Sequence, residues 1–409
     1  MFRLIVIYIR TGMMARPPDE PVAAKENRIR KDCAMLENIE TPRLVLDKAR
    51  LERNTTRFLR RAAEHNILLC PHLKTSKSID VARLATGGRM SCITVSTLKE
   101  AGYFAASGFD DIMYAVGVTP NKFAHVKRIA ETSGCNIRLI TDNLSVARAA
   151  VDYAESQNCT LQFLIEVDCG EHRGGLPVDS PDLVEIARLF QASDAIRFRG
   201  VMTHAGHSYA TDSLDQVREI AETERKTAVD AAARLSDFGI DCEIISVGST
   251  PTFLFAENFK GLTEVRCGVY MFFDLAQYSR GVCTLDDIAV SVLATVIGHN
   301  RQGQSLVLDA GAFALSRDAS ANRYLPDCGY GFVCDTQTME RLGALSVQAV
   351  HQEHGTVPVE DANWFEKLPV GSQIRILPNH ACATAAAYDN YLVIEAGAEQ
   401  VSWPRVNGW

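Results

Sequence analysis

The chain has 409 residues, a formal net charge of -8 and 47% hydrophobic residues. One hydrophobic core rarely serves that length, so two domains are expected, and the acidic balance excludes electrostatic capture of nucleic acid or an anionic membrane. Twelve cysteines stand singly with no Cys-x-x-Cys pair, which excludes a zinc ribbon or a small disulfide framework and reads as reduced thiols in a reducing compartment.

The N-terminus, "MFRLIVIYIRTGMMARPPDEP", holds an apolar run from Leu4 to Ile9 between two arginines. A spanning helix needs roughly 20 such residues, and no small-residue cleavage pattern follows. Residues 1–36 are expected to be a poorly ordered leader, with Met13 or Met14 as the natural start. The protein is expected in the cytoplasm.

From residue 67, short apolar or β-branched runs recur: "ILLCPHLK" (67–74), "SCITVS" (91–96), "DIMYAV" (111–116), "NIRLIT" (136–141), "LQFLIEVD" (161–168), "FRGVMTH" (198–204), "CEIISVG" (242–248) and "EVRCGVY" (264–270). Between them, segments such as "NLSVARAAVDYAES" space their apolar residues for helices. Strand–helix alternation implies parallel strands with crossover helices. An open doubly wound sheet would alternate in the same way, but eight units fit a (β/α)8 TIM-like barrel over residues 37–278. After Asp274 the rhythm changes to strands separated by turns, giving an all-β C-terminal domain over 279–409. A cleft between two such domains is where small-molecule sites often lie.

Reactive groups of a barrel gather at the C-terminal ends of its strands. The first run puts Lys74 there, the fifth leads to Asp168 and Arg173, and the sixth to His204, His207 and Tyr209. The seventh ends in "GSTPT", with Gly248, Ser249 and Thr250, and the eighth carries Arg266 and Tyr270. A small hydroxyl-rich turn at a helix start can hold a phosphate, although many tight turns look alike. Most lysines are solvated, but Lys74 ends a strand read as buried; Lys77 is read as solvated or phosphate-steering. A phosphate turn across the mouth from a rim lysine suggests pyridoxal phosphate, joined to Lys74 as a Schiff base. Arg173 can be an ordinary loop arginine, His204 and Tyr209 core residues. Near the C-terminus, "RILPNHACATAAAYD" sets His380 and Cys382 two apart on a segment read as extended, where they can share a metal or simply pack.

With these residues in place, the chain resembles the fold-type III pyridoxal-phosphate enzymes: alanine racemase, D-threonine aldolase and eukaryotic-type D-serine dehydratase. "PHLKTSK" looks like the family's cofactor-lysine motif. "ITVSTLKEAGYF", "DIMYAVG", "GVMTHAGHSY", "SVGSTPT", "EVRCGVYMFFD", "VLDAGAFALSRD" and "QEHG" follow in family order, from about Thr41 to Trp409. "PNHAC" is similar to the metal motif of the dehydratase and aldolase branch, which places a divalent ion beside the cofactor. The resemblance implies zinc on His380 and Cys382, with manganese or cobalt as other ions. It also implies Arg266 facing the pyridine nitrogen, Tyr270 at the phosphate, and a homodimer.

The activity so implied is dehydration of a D-3-hydroxyamino acid, D-serine to pyruvate and ammonia first. Lys74 would be both Schiff base and α-proton base, and zinc would activate the β-hydroxyl. The alternatives are D-threonine aldolase chemistry giving glycine and acetaldehyde, D-threo-3-hydroxyaspartate dehydration, and a non-catalytic pyridoxal-phosphate binder. The aldolases typically carry aspartate where Cys382 stands. A basic residue at the far end of the pocket would favour hydroxyaspartate, with Arg317 and Arg323 as candidates. His354 of "QEHG" either supports the metal site or caps a turn.

Overall fold

The computed structural model describes residue 36, residues 39–395 and residues 398–409. The expected leader therefore lies outside the described residues except for Leu36, which is buried against Val45 and Leu293.

Eight parallel strands form one sheet, and each falls within one of the eight apolar runs or overlaps it. Across the sheet they run Leu68–Leu69, Glu264–Val265, Ile244–Val247, Ile196–Met202, Leu161–Glu166, Asn136–Thr141, Asp111–Tyr114 and Ile93–Val95. A parallel bridge between His72 and Thr94 joins the two edges. There Leu73 N donates to Thr94 O at 2.8 Å and Thr94 N to Pro71 O at 2.9 Å. The barrel alternative is the one realised.

Strands covered on both faces read as continuous apolar runs, and Phe163, Leu164 and Ile165 are accordingly buried in succession. The helix Lys48–Glu64 turns Leu51, Thr55, Phe58 and Ala62 inward at helical spacing, and Asp47 caps its start by accepting from Arg50 N. The helix Leu214–Asp237 buries one carboxylate, Glu224. It accepts from Ala205 N at 2.9 Å and Gly248 N at 3.0 Å, so it pins two of the turns that form the barrel mouth.

The second sheet is ten-stranded and mostly antiparallel. Its main path runs Arg341–Ser346, Gly331–Cys334, Gln373–Pro378, Val290–Asn300, Arg43–Asp47, Asn390–Ile394 and Val401–Pro404. Arg43–Asp47 precedes the barrel in sequence yet pairs here, antiparallel to Val290–Asn300 and parallel to Asn390–Ile394. The range 37–278 therefore holds one strand of the other sheet, because a five-residue apolar strand carries no mark of which sheet it joins.

The reading of every cysteine as a free thiol needs correction: Cys70 and Cys92 form a disulfide. They stand on neighbouring barrel strands with Cα atoms 5.0 Å apart, a proximity created by closure of the sheet and hidden by a spacing of 22 residues. Beside them Arg138, fully buried, makes ion pairs with Asp111 and Glu264, each at 2.8 Å.

Candidate active site

Beyond Leu69 the chain stays hydrogen-bonded to the neighbouring strand: Cys70 N donates to Val265 O at 2.8 Å and His72 N to Cys267 O at 2.7 Å. Lys74 thus emerges at the barrel mouth. It lines two cavities of about 330 and 360 Å³, which share His72, Arg173, His204 and Arg266. Lys77 does not reach them and is neither solvated nor phosphate-steering. Its Nζ lies 3.1 Å from the buried carboxylate of Glu100, whose other oxygen accepts from Ser96 N.

The strand Ile244–Val247 ends at Gly248, held at φ +145°; a Cβ there would stand 2.5 Å from Arg266 N. No other residue fits. Gly248 O accepts from His204 Nδ1 at 2.6 Å, which leaves Nε2 as the other ring nitrogen. Burial lowers His204 to about 3, so the ring is neutral near pH 7.

Ser249 Oγ is spent locally, accepting from Thr252 N at 3.2 Å to cap the helix Thr250–Phe255 and pairing with Ser208 Oγ at 2.8 Å. Thr250 N donates to Tyr209 Oη at 3.1 Å. Among the described residues Thr250 Oγ1 and Tyr270 Oη are buried without a partner; the Tyr270 ring stacks on Phe58 at 4.1 Å and does not line either cavity. A buried Thr250 hydroxyl at a helix start two residues past Gly248 fits an oxyanion ligand such as a phosphate. Arg266, buried, bonds Ser246 Oγ and Thr203 O and lines both cavities. Arg173 pairs with Glu171 at 3.2 Å and also lines both.

His380 and Cys382 line the same cavity as Lys74. His380, in extended backbone, is the N-cap of the short helix Ala381–Ala385, so Cys382 is helical and only His380 lies on an extended segment. Two buried side chains fix that turn. Asp274 accepts from Ala381 N and from Gln277 N, both at 2.9 Å. Asn379 accepts from Ala321 N at 2.9 Å and donates to Asn322 Oδ1 and Gly329 O. The His380 Nδ1 to Asp318 Oδ2 distance is 2.6 Å, and Cys382 Sγ lies 3.2 Å from the hydroxyl of Thr75, next to Lys74.

Burial opposes charge on His380, but Asp318 and then Cys382 outweigh it and raise the imidazole to about 11. Burial likewise opposes a Cys382 thiolate, and His380, Thr75 and Lys74 outweigh it and lower that thiol. A thiol inclined to ionise, beside an imidazole whose Nδ1 is held by a carboxylate, fits a borderline-soft divalent ion. The other close grouping, Cys70, Cys92 and Glu264, is already satisfied by the disulfide and by Arg138.

Several cavity residues are not singled out by the sequence: His72, inside the quoted "PHLKTSK", and Asp274, Gln277, Arg280 and Asp318. Asp274 and Asp318 stand inside the quoted segments "EVRCGVYMFFD" and "VLDAGAFALSRD", whereas Gln277 and Arg280 fall in none. Of the arginines proposed for the far end of the pocket, Arg317 is exposed and Arg323 pairs with Asp212 at 2.9 Å; neither lines the cavity. His354 is exposed in a turn whose backbone is tied to the Gly311–Phe313 segment, with Phe313 N donating to Gln352 O. His354 lines neither cavity, and its carbonyl accepts from His351 N at 2.8 Å.

A lysine at a barrel mouth, in a cavity that the second domain also lines through Asp318, His380 and Cys382, is the arrangement of the pyridoxal-phosphate enzymes built on the alanine racemase fold. Residues 46–276 match the family described as alanine racemase, N-terminal domain, and residues 289–394 match the putative serine dehydratase domain. The chain belongs to this family and is a pyridoxal-phosphate-dependent lyase. It is 41% identical to D-threo-3-hydroxyaspartate dehydratase from Delftia sp. (strain HT23), over 91% of this chain and 98% of the relative. Identity to D-serine dehydratase of Dictyostelium discoideum is 30%, over 88% and 94% of the two chains. The solved structure of the Delftia enzyme superposes with a TM-score of 0.88 at 40% identity, covering 91% of this chain and 99% of that one.

Proposed function

We propose that the protein dehydrates D-3-hydroxyamino acids to a keto acid and ammonia, using pyridoxal phosphate on Lys74 and zinc on His380 and Cys382. The observation that carries this reading is one cavity lined by a rim lysine and by a thiol–imidazole pair. A cysteine-to-alanine variant of a D-threo-3-hydroxyaspartate dehydratase has been solved in a form described as metal-free, which agrees with a cysteine at the metal site in this reading.

Bound pyridoxal phosphate would supply an electron sink for the α-carbon, and zinc would supply Lewis acidity toward the β-oxygen. Lys74 Nζ, once free, takes the α-proton. Neutral His204, with its Nδ1–H held by Gly248 O, presents no cation to the cofactor ring. Arg266, which lines both cavities, would face the ring nitrogen and, as a donor, would keep that nitrogen from being protonated. Gly248, Thr250 and Tyr209 would hold the phosphate, with Ser249 acting through its helix cap and Tyr270 joining them as the family resemblance implies, and Arg173 would approach the phenolic oxygen. Departure of the α-proton and β-hydroxide as water leaves a product that hydrolyses to keto acid and ammonia.

The residue ranges 37–278 and 279–409 serve as cofactor and metal domains in this reading. We place the enzyme in the cytoplasm as a homodimer, a state in which a second copy would cover Phe313, 61% exposed. Among the described residues no helix is long and apolar enough to cross a membrane.

The test is turnover of D-serine, D-threonine and D-threo-3-hydroxyaspartate by protein supplied with both cofactors. Keto acid with ammonia is expected, abolished in Lys74→Ala and sharply reduced by chelation or in Cys382→Ala. Glycine and acetaldehyde from D-threonine, without keto acid, would transfer the protein to the aldolase reaction.

A further inference from the structure

Three arginines line the cavity that holds Lys74, His380 and Cys382: Arg173, Arg266 and Arg280. Two have evident employment. Arg173 is paired with Glu171, and Arg266 is bonded into the barrel mouth. Arg280 follows the helix Leu275–Tyr278, whose cap, Asp274, also holds the His380–Cys382 turn.

Its guanidinium is fixed by neutral groups. Nη1 donates to Ala276 O at 2.5 Å and Ser279 Oγ at 3.3 Å, Nη2 donates to Ser320 O at 3.1 Å, and the group lies 4.8 Å from the Tyr324 ring centre. A guanidinium has five N–H donors, so three bonds leave two, and Nε is buried with no partner among the described residues. No described carboxylate forms an ion pair with it. Asp318 is engaged with His380, and Asp274 accepts two backbone N–H groups. A held arginine with spare donors, in the wall of the cavity that also holds Lys74, is suited to an incoming carboxylate.

We propose that Arg280 reads the distal carboxylate of an acidic D-3-hydroxyamino acid, making the four-carbon dicarboxylate, 3-hydroxyaspartate, preferred over D-serine. The proposal rests on the dehydratase reading for the reaction, but the recognition it describes can be measured without turnover. D-Aspartate has the distal carboxylate and lacks the β-hydroxyl, and D-alanine lacks both.

The experiment titrates the holoenzyme with D-aspartate and D-alanine, following the cofactor absorbance, in wild type, Arg280→Gln and Arg280→Lys. It also compares kcat/KM for D-threo-3-hydroxyaspartate and D-serine. A charged hydrogen-bonded contact in a partly buried site corresponds to about a 10- to 100-fold preference. Wild type should show that preference for the acidic member of each pair. Arg280→Gln should erase it, and Arg280→Lys, which keeps charge without the fork, should restore part of it. A variant that merely folds poorly lowers both members of a pair and leaves the ratio intact, which counts against the proposal. A wild-type preference that persists within threefold in both variants overturns it. Absence of keto acid from either substrate, with an Arg280-dependent D-aspartate preference retained, would instead overturn the dehydratase reading alone.

Discussion

The contact between Asp318 and His380 makes a quantitative prediction. Nδ1 and Oδ2 are 2.6 Å apart, with the two side chains 36% and 31% exposed. A charge-assisted hydrogen bond contributes about 1.5–3 kcal/mol when well shielded, and exposure of a third of each group argues for the lower end. About 1.5 kcal/mol is roughly a tenfold change in an equilibrium constant. In Asp318→Ala the imidazole is no longer oriented with Nε2 toward the cavity, so zinc affinity should fall about tenfold, within the ~10- to 100-fold range for such supporting carboxylates. Asp318→Asn keeps an acceptor without the charge and should fall between. The assay is competition for zinc against a chromophoric chelator of known affinity, using the holoenzyme at fixed pH, with His380→Ala as the reference for complete loss. If Asp318→Ala held zinc within twofold of wild type while His380→Ala lost it, the carboxylate would have no orienting role.

Lys74→Ala should lose the absorbance of bound cofactor while still folding. Lys77→Ala should keep the cofactor but melt lower, since it strips the buried Glu100 of its cation at a cost of about 3 kcal/mol. Gly248→Ala sets a Cβ against Arg266 backbone and should cost more than about 3 kcal/mol in denaturant unfolding, with weakened cofactor binding; wild-type stability would disprove the close approach. His204, lowered by burial to about 3 from an ordinary 6.5, takes up a proton on unfolding between those pH values. Its contribution is intact above pH 6.5 and is lost as pH falls toward 3. His204→Asn should flatten the stability profile there by up to about 1.4 kcal/mol per pH unit.

The barrel could be read because most strand residues are buried whichever face they point to, so each strand appears as a short apolar run bounded by turns. Lys74, Gly248 and Arg266 could be read because a barrel gathers strand ends at one mouth. What escaped notice depends on distance in space. Asp318 and His380 are 62 residues apart, and Arg280 resembles any arginine after a short helix until the cavity wall is seen. Lys77 looks like a solvated lysine in the sequence because its partner, Glu100, lies beyond the helix Ile79–Ala85, in the helix Leu98–Ala106. The disulfide partner of Cys70 became evident only with closure of the sheet, and the strand Arg43–Asp47 only with its neighbours at Leu293 and Leu392.

That strand carries a consequence for how the protein is made. Arg43–Asp47 lies inside the second sheet, between Val290–Asn300 and Asn390–Ile394, so its segment is translated before any strand beside it. Val45 must be held unpaired through synthesis of the entire barrel before Ser291 arrives, and longer still before Leu392 does. Domains otherwise tend to fold from the N-terminus as the ribosome delivers them. Here the barrel can close co-translationally, but the sheet bearing His380 and Cys382 is completed only after release of the last strands. Nascent chains stalled near residue 280 should therefore carry a protease-resistant barrel with residues 43–47 still open to cleavage.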